Sequence, residues 1–137
     1  YTRDLPVQIR FIEFMPFAGN QWSGEKVFSY YDMLQLISSN FDFLKLPDEK
    51  HDTAKKYFVP DHKGTFAFIS TMSEPFCGGC NRMRLTADGK MKNCLFSQSE
   101  TDLLSAFRNG DDIKPLIFEN IKKKKSLCSK NPFDSFL

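Results

Sequence analysis

Residues 7–15, VQIRFIEFM, are dense in β-branched and aromatic side chains and predict a strand, which Pro16 ends. The following FAGNQWSG carries two glycines and predicts a loop. From Ser29 the period changes. Tyr30, Met33, Leu34 and Ile37 stand at i, i+3, i+4 and i+7, which predicts a helix over 29–37 starting near Phe28 or Ser29. Residues 41–52, with Pro47 and mixed charge, predict a linker. Two short strand patterns, 54–59 and 65–70, enclose PDHKG and predict an antiparallel hairpin. A second hairpin is predicted for 82–86 and 90–96, around Ala87-Asp88-Gly89. The last third is helical in pattern. Residues 99–108 open with a capping sequence, S-E-T-D, and close at Asn109-Gly110. Residues 112–125 follow as an amphipathic helix with Pro115 in its first turn. Residues 126–137 have no period and predict an irregular tail.

Composition narrows the class. The chain has 137 residues, of which 41% are hydrophobic and 26% charged, and 15 are Phe. This fits one globular domain with a sizeable core and excludes a disordered chain, a collagen and a coiled coil. No apolar run approaches the ~18 residues of a membrane span. Lys and Arg number 19 against 17 Asp and Glu. The resulting charge of +2 is too small to imply a nucleic-acid partner. The first residue is Tyr rather than Met, so a fragment or a processed form is expected. The first ten residues do not read as a signal peptide. Three of the four cysteines fall within residues 77–94. In a chain without secretory marks, that clustering favours a metal over a disulfide.

The strongest chemical signal is Cys77-x2-Cys80-x13-Cys94. Gly78 and Gly79 let the loop turn two thiolates toward one centre, and a third arrives from the far limb of the hairpin. Three soft sulfur ligands suit zinc or an iron–sulfur cluster. Register decides whether they converge. With a two-residue Asp88-Gly89 turn, Cys94 falls opposite Met83, on the wrong face. With a three-residue Ala87-Asp88-Gly89 loop, Thr86 faces Lys90 and Arg82 faces Cys94. Cys80, Arg82, Arg84 and Cys94 then share a face. That loop needs Gly in the left-handed region at its last position, where Gly89 stands, so this form is expected. Arg82, Arg84, Lys90 and Lys92 outnumber Asp88 in the segment, and Arg82 and Arg84 are placed to grip a phosphate. A fourth ligand is missing nearby. Three protein ligands leave one metal position open, as catalytic sites do, and the open-site reading puts a substrate atom on iron.

RFIEFMPFAGNQW and FISTMSEPFCGGCNRMRLTADGKMKNCLF resemble the C-terminal part of the molybdenum cofactor biosynthesis protein A family, the GTP 3',8-cyclases of the radical S-adenosylmethionine (SAM) group. The resemblance covers about residues 7–125. It implies an α/β fold: the end of an incomplete radical SAM (β/α) barrel, with the last strand and helix in 1–40. An antiparallel hairpin and helical extension in 41–125 would carry a metal cluster. It implies a [4Fe–4S] cluster on Cys77, Cys80 and Cys94, with GTP contacts at Arg82, Met83 and Arg84 and a SAM contact at Met15. The activity implied is cyclisation of GTP in the first step of molybdopterin synthesis. The partners implied are the barrel portion outside this chain and a downstream synthase accessory protein that yields cyclic pyranopterin monophosphate. A homodimer is compatible, and neither membrane nor nucleic acid is called for. The location implied is intracellular: the mitochondrial matrix in a eukaryote, the cytoplasm in a bacterium. Two features depart from the family. The CxxxCxxC motif that holds the SAM cluster is absent, and the chain ends NPFDSFL instead of Gly-Gly. This piece alone is therefore expected to be inactive.

Plainer readings stand beside these. The cysteines also suit a non-catalytic zinc-binding module, with a His or Cys128 as fourth ligand. The chain also suits a truncated, inactive product of a cyclase gene. Arg82 and Arg84 read equally as a solvated strand face, and Met15 as core packing. Asp88 reads as turn chemistry, and His51 and His62 as exposed loop residues. Lys122 to Lys125 read as a solvated helix end, favoured by the helix dipole. Trp22 reads as packing or as substrate cover.

Overall fold

Phe68 and Ala67 lose all contact with solvent, and Tyr57 and Phe66 nearly all. They lie on two strands of the chain's first sheet. The structure is a computed structural model that describes residues 1–17, 19–97 and 99–127, the last three as backbone. The chain divides into two compact units, Tyr1–Gly79 and Cys80–Leu137.

The first unit runs β1 (Gln8–Ile12), α1 (Tyr30–Ser38), β2 (Leu44–Lys45), β3 (Lys55–Phe58) and β4 (Thr65–Ile69). The sheet order is β1-β4-β3-β2. The expected hairpin is present, with Lys55 opposite Phe68 and Tyr57 opposite Phe66. β1 runs parallel to β4, Gln8 to Thr65 through Ile12 to Ile69. A parallel pair needs a long crossover, and residues 13–64 supply it. Gly64 sits at the entry to β4, where a Cβ would lie 2.3 Å from the Val7 carbonyl oxygen, so only glycine fits. The helix begins as its sequence predicts. Ser29 Oγ accepts from Asp32 N, and the Asp32 carboxylate accepts from Ser29 N, a reciprocal cap. It turns Tyr30 and Met33 onto Tyr57, Phe66 and Phe68, with Leu34 and Ile37 at the margin. The rings interlock edge-on or stacked at 5.3–5.6 Å. Inside, the Tyr30 and Tyr57 hydroxyls pair at 2.6 Å. Burial, then that hydrogen bond, holds the Tyr57 phenol well above its usual range.

Two sequence expectations shift here. The predicted linker 41–52 contains β2, which pairs Leu44 with Phe58. The predicted strand 7–15 closes at Ile12, because Glu13 turns its side chain inward. That carboxylate accepts from Tyr30 N at 2.7 Å, Met72 N at 2.6 Å, Ser73 N at 3.0 Å and the Ser73 hydroxyl. It ties the start of α1 to the turn after β4.

The second unit runs β5 (Arg84–Leu85), β6 (Lys90–Lys92), β7 (Thr101–Asp102), α2 (Leu103–Arg108) and α3 (Lys114–Leu127). Its sheet order is β5-β6-β7, antiparallel throughout. The helix predicted over 99–108 starts later, because Thr101 and Asp102 first pair with β6. Asp102 is the true cap, accepting from Ser105 N at 2.9 Å. The predicted stop holds. Gly110 has φ +83°, with Gly110 N bonded to Phe107 O and Asp111 N to Ala106 O. Cys128 and most of the predicted tail lie outside the described residues. α3 carries its backbone helix through 126 and 127. No helix among the described residues is long and apolar enough to cross a membrane.

Candidate functional site

The hairpin that carries the chemistry adopts the three-residue loop. Arg84 pairs with Lys92 and Leu85 with Met91, and Thr86 N bonds Lys90 O at 2.9 Å. Gly89 has φ +75° and a carbonyl that receives Leu103 N and Leu104 N, so the loop also seats the start of α2. Asp88 serves the turn. It accepts from the Thr86 hydroxyl at 2.5 Å and pairs with Lys90 at 2.8 Å, which together hold its carboxyl down at about 2. The paired strands end at Arg84 and Lys92, two residues short of Arg82 and of Cys94.

Around Cys80 the second unit is cationic. Arg82 Nη2 lies 3.4 Å from Cys80 Sγ and Lys124 Nζ 3.5 Å. The same ammonium donates to Arg82 O at 2.8 Å and Asn93 O at 2.7 Å. Burial opposes ionisation of Cys80. The Arg82 backbone N–H, the Arg82 guanidinium and the Lys124 ammonium outweigh it and hold the thiol below its usual range. Asn93, next to Cys94, is itself buried, and its side-chain oxygen has no hydrogen-bond partner among the described residues. Met83 is half-buried and Arg84 exposed.

In the first unit, Cys77–Gly79 form a single 3-10 turn, with Gly79 N bonded to Phe76 O. His51, in a left-handed conformation at φ +74°, brings Nδ1 to 2.5 Å from Gly79 O. Met15 is half-buried, and its carbonyl accepts from Asn20 at 2.7 Å. Trp22 donates its indole N–H to Phe14 O at 2.9 Å. A cavity of about 230 Å³ in this unit is lined by Asp48, Glu49, Asp52 and Glu74 with Lys55, the wrong sign for a triphosphate.

Cys77, Cys80 and Cys94 are half-buried thiols. Among the described residues no three His, Cys, Asp or Glu side chains stand close enough to hold a metal ion. The donor chemistry nonetheless fits a soft metal. The Cys80 thiol is held below its usual range, and Arg82 and Lys124 lie within 3.4 and 3.5 Å of its sulfur.

Two residues escaped the sequence reading. Lys124 lies in the lysine run read as solvated, yet it is buried, while Lys122 and Lys123 are exposed. The helical phase of Asn120 and Lys124, i and i+4, is the signal that could have found it. Glu13 sits in an apolar strand pattern, where a lone carboxylate signals an internal task.

Comparison with known proteins places this geometry. Molybdenum Cofactor Synthesis C matches residues 7–129, nearly the whole chain. The chain belongs to the Molybdenum Cofactor Synthesis C family. Among its relatives, molybdenum cofactor biosynthesis protein 1 of Drosophila melanogaster is 47% identical over 130 residues, which are 91% of this chain and 23% of that protein. The mitochondrial GTP 3',8-cyclase of Arabidopsis thaliana is 42% identical over 91% of this chain and 33% of its own length. The GTP 3',8-cyclase of Desulforamulus reducens is 35% identical over 91% of this chain and 40% of its own. The chain spans from 18% to 40% of the length of the curated relatives it matches, and corresponds to their C-terminal part. Met15, Cys77, Cys80, Arg82, Met83, Arg84, Cys94 and Lys124 all lie within the stretch matched by Molybdenum Cofactor Synthesis C.

Proposed function

We propose that this chain is the C-terminal portion of a GTP 3',8-cyclase and that it presents GTP on a [4Fe–4S] cluster held by Cys77, Cys80 and Cys94. The relatives' names support the reaction class. One observation supports the local reading: the Arg82 guanidinium lies 3.4 Å from the Cys80 sulfur, and the Lys124 ammonium joins Arg82 O to Asn93 O, next in sequence to Cys94. Thiolate ligands and anion-binding arginines then share one place. A cluster with three protein ligands supplies an open iron position for a purine atom. Arg82 and Arg84 neutralise and orient the triphosphate, and Met83 packs on the base. Met15 belongs to the SAM side. Residues 1–40 supply the last strand and helix of a barrel completed by chain outside this sequence, and 41–125 the cluster region. SAM cleavage requires that further portion, so this piece alone is inactive.

Anaerobic reconstitution with iron and sulfide tests the reading. Iron, sulfide and zinc are counted, and the EPR spectrum of the reduced sample is recorded with and without GTP. The expected result is four irons and a GTP-dependent spectrum that Arg84→Ala loses while keeping its iron. Tight zinc without iron would make the cysteines a structural zinc site and end the cyclase reading for this piece.

A further inference from the structure

Among the described residues two charged side chains are buried, Glu13 and Lys124. Glu13 is accounted for by the N–H groups it binds. Lys124 has no carboxylate among its partners: its ammonium meets Arg82 O at 2.8 Å, Asn93 O at 2.7 Å and Cys80 Sγ at 3.5 Å. An ammonium has three N–H donors, and these acceptors use all three. Two carbonyl dipoles satisfy donors but leave the charge, and a buried, uncompensated cation is costly. Of the three acceptors, the sulfur alone can carry the opposite charge. The two carbonyls also mark the hairpin's open end. Arg82 follows Cys80 by two residues, and Asn93 directly precedes Cys94. A single side chain from α3 therefore grips both cysteine-bearing limbs. Asn120, one turn earlier on α3, reinforces the same docking by donating to Met91 O at 3.2 Å and Thr101 Oγ1 at 2.7 Å.

We propose that Lys124 is a positioning residue of the cysteine centre: it fixes the Cys80 limb to the Cys94 limb and lays an N–H donor and a positive charge on the Cys80 sulfur. This rests on the metal-site reading above. Donors and charge beside a ligand sulfur favour the more negative, reduced state of a bound cluster. Loss of Lys124 therefore lowers the reduction potential, an effect that packing alone does not produce.

The test uses the native chain, Lys124→Met, Lys124→Arg and a control, Lys123→Met. The control removes an exposed lysine paired with Glu119. Each is loaded anaerobically with iron and sulfide, checked for fold by far-UV circular dichroism, and titrated with dithionite while EPR follows the cluster. Lys124→Met is expected to shift the oxidised-to-reduced ratio at fixed potential about tenfold, equivalent to about 59 mV downward for a one-electron couple. Lys124→Arg restores part of the shift, and Lys123→Met leaves the potential unchanged. Equal potentials in the native chain and Lys124→Met overturn the proposal, as does an equal shift in Lys123→Met. If Lys124→Met does not fold, Lys124→Gln, which keeps two N–H donors without charge, takes its place under the same criteria. Zinc without iron in the native chain overturns the cluster reading and not this one. Lys124→Met is then expected to bind zinc at least about tenfold more weakly, and equal zinc affinities overturn the proposal.

Discussion

At the scale of single residues, two buried charges organise the two units. Glu13 gathers the Tyr30, Met72 and Ser73 amides and so joins strand, helix and turn in the first unit. Replacing it by Gln exchanges one acceptor oxygen for an NH2 group that faces N–H donors. Glu13→Gln is expected to cost about 1–3 kcal/mol, read as a lower urea midpoint at unchanged slope. An unchanged midpoint would mean that the amides are satisfied some other way. The presence of Glu13 in an apolar run was legible, but its partners were not. They come from residues 17 and about 60 positions away. Lys124 was misread for a related reason: a run of four lysines looks alike in sequence, and only the docking of α3 on β6 chooses which one faces inward.

Local rules governed the elements well. The capping box at Ser29 and Asp32, the Gly110 stop and the Ala87-Asp88-Gly89 loop are decided by side chains within a few residues of one another. The hairpin is where such a rule reaches the site, because its register sets Arg84 opposite Lys92, on the limbs that carry Cys80 and Cys94. Gly89→Ala tests it. At φ +75° an L-residue is strained, and its Cβ would lie 2.4 Å from Leu104 Cβ. The expected loss is about 2 kcal/mol or more, seen as a lower thermal midpoint. Leu104→Ala in the same chain keeps that Cβ and relieves only the Cγ and Cδ2 contacts at 3.1 Å, so most of the loss should remain. Full recovery would place the cost in those outer contacts. The start of α2 and the existence of β2 were not legible. Both depend on strands that lie elsewhere in sequence, Met91 for Thr101 and Phe58 for Leu44.

For the whole molecule, the informative feature is how little of β1 is buried. Ile9 reaches the first unit's core, while Phe11 remains 38% exposed and Ile12 55%. β1 is also the end strand of its sheet. Such an end strand, with Ile12 left exposed, suits further protein surface, in keeping with a chain that spans a minor part of its relatives. Ile12→Lys is expected to reduce both binding of a hydrophobic dye and self-association while leaving the thermal midpoint within about 0.5 kcal/mol. Unchanged dye binding would locate the responsible surface elsewhere. The sequence by itself determined the Ser29 cap, the Gly110 stop, both hairpins, the three-residue loop and the family, because each is written in short-range patterns of residue type. Only the tertiary structure decided that β1 lies parallel to β4, that Glu13 and Lys124 are the charges buried among the described residues, and that an ammonium from α3 closes on the Cys80 sulfur. Those choices depend on which distant surfaces meet, and no local period encodes that.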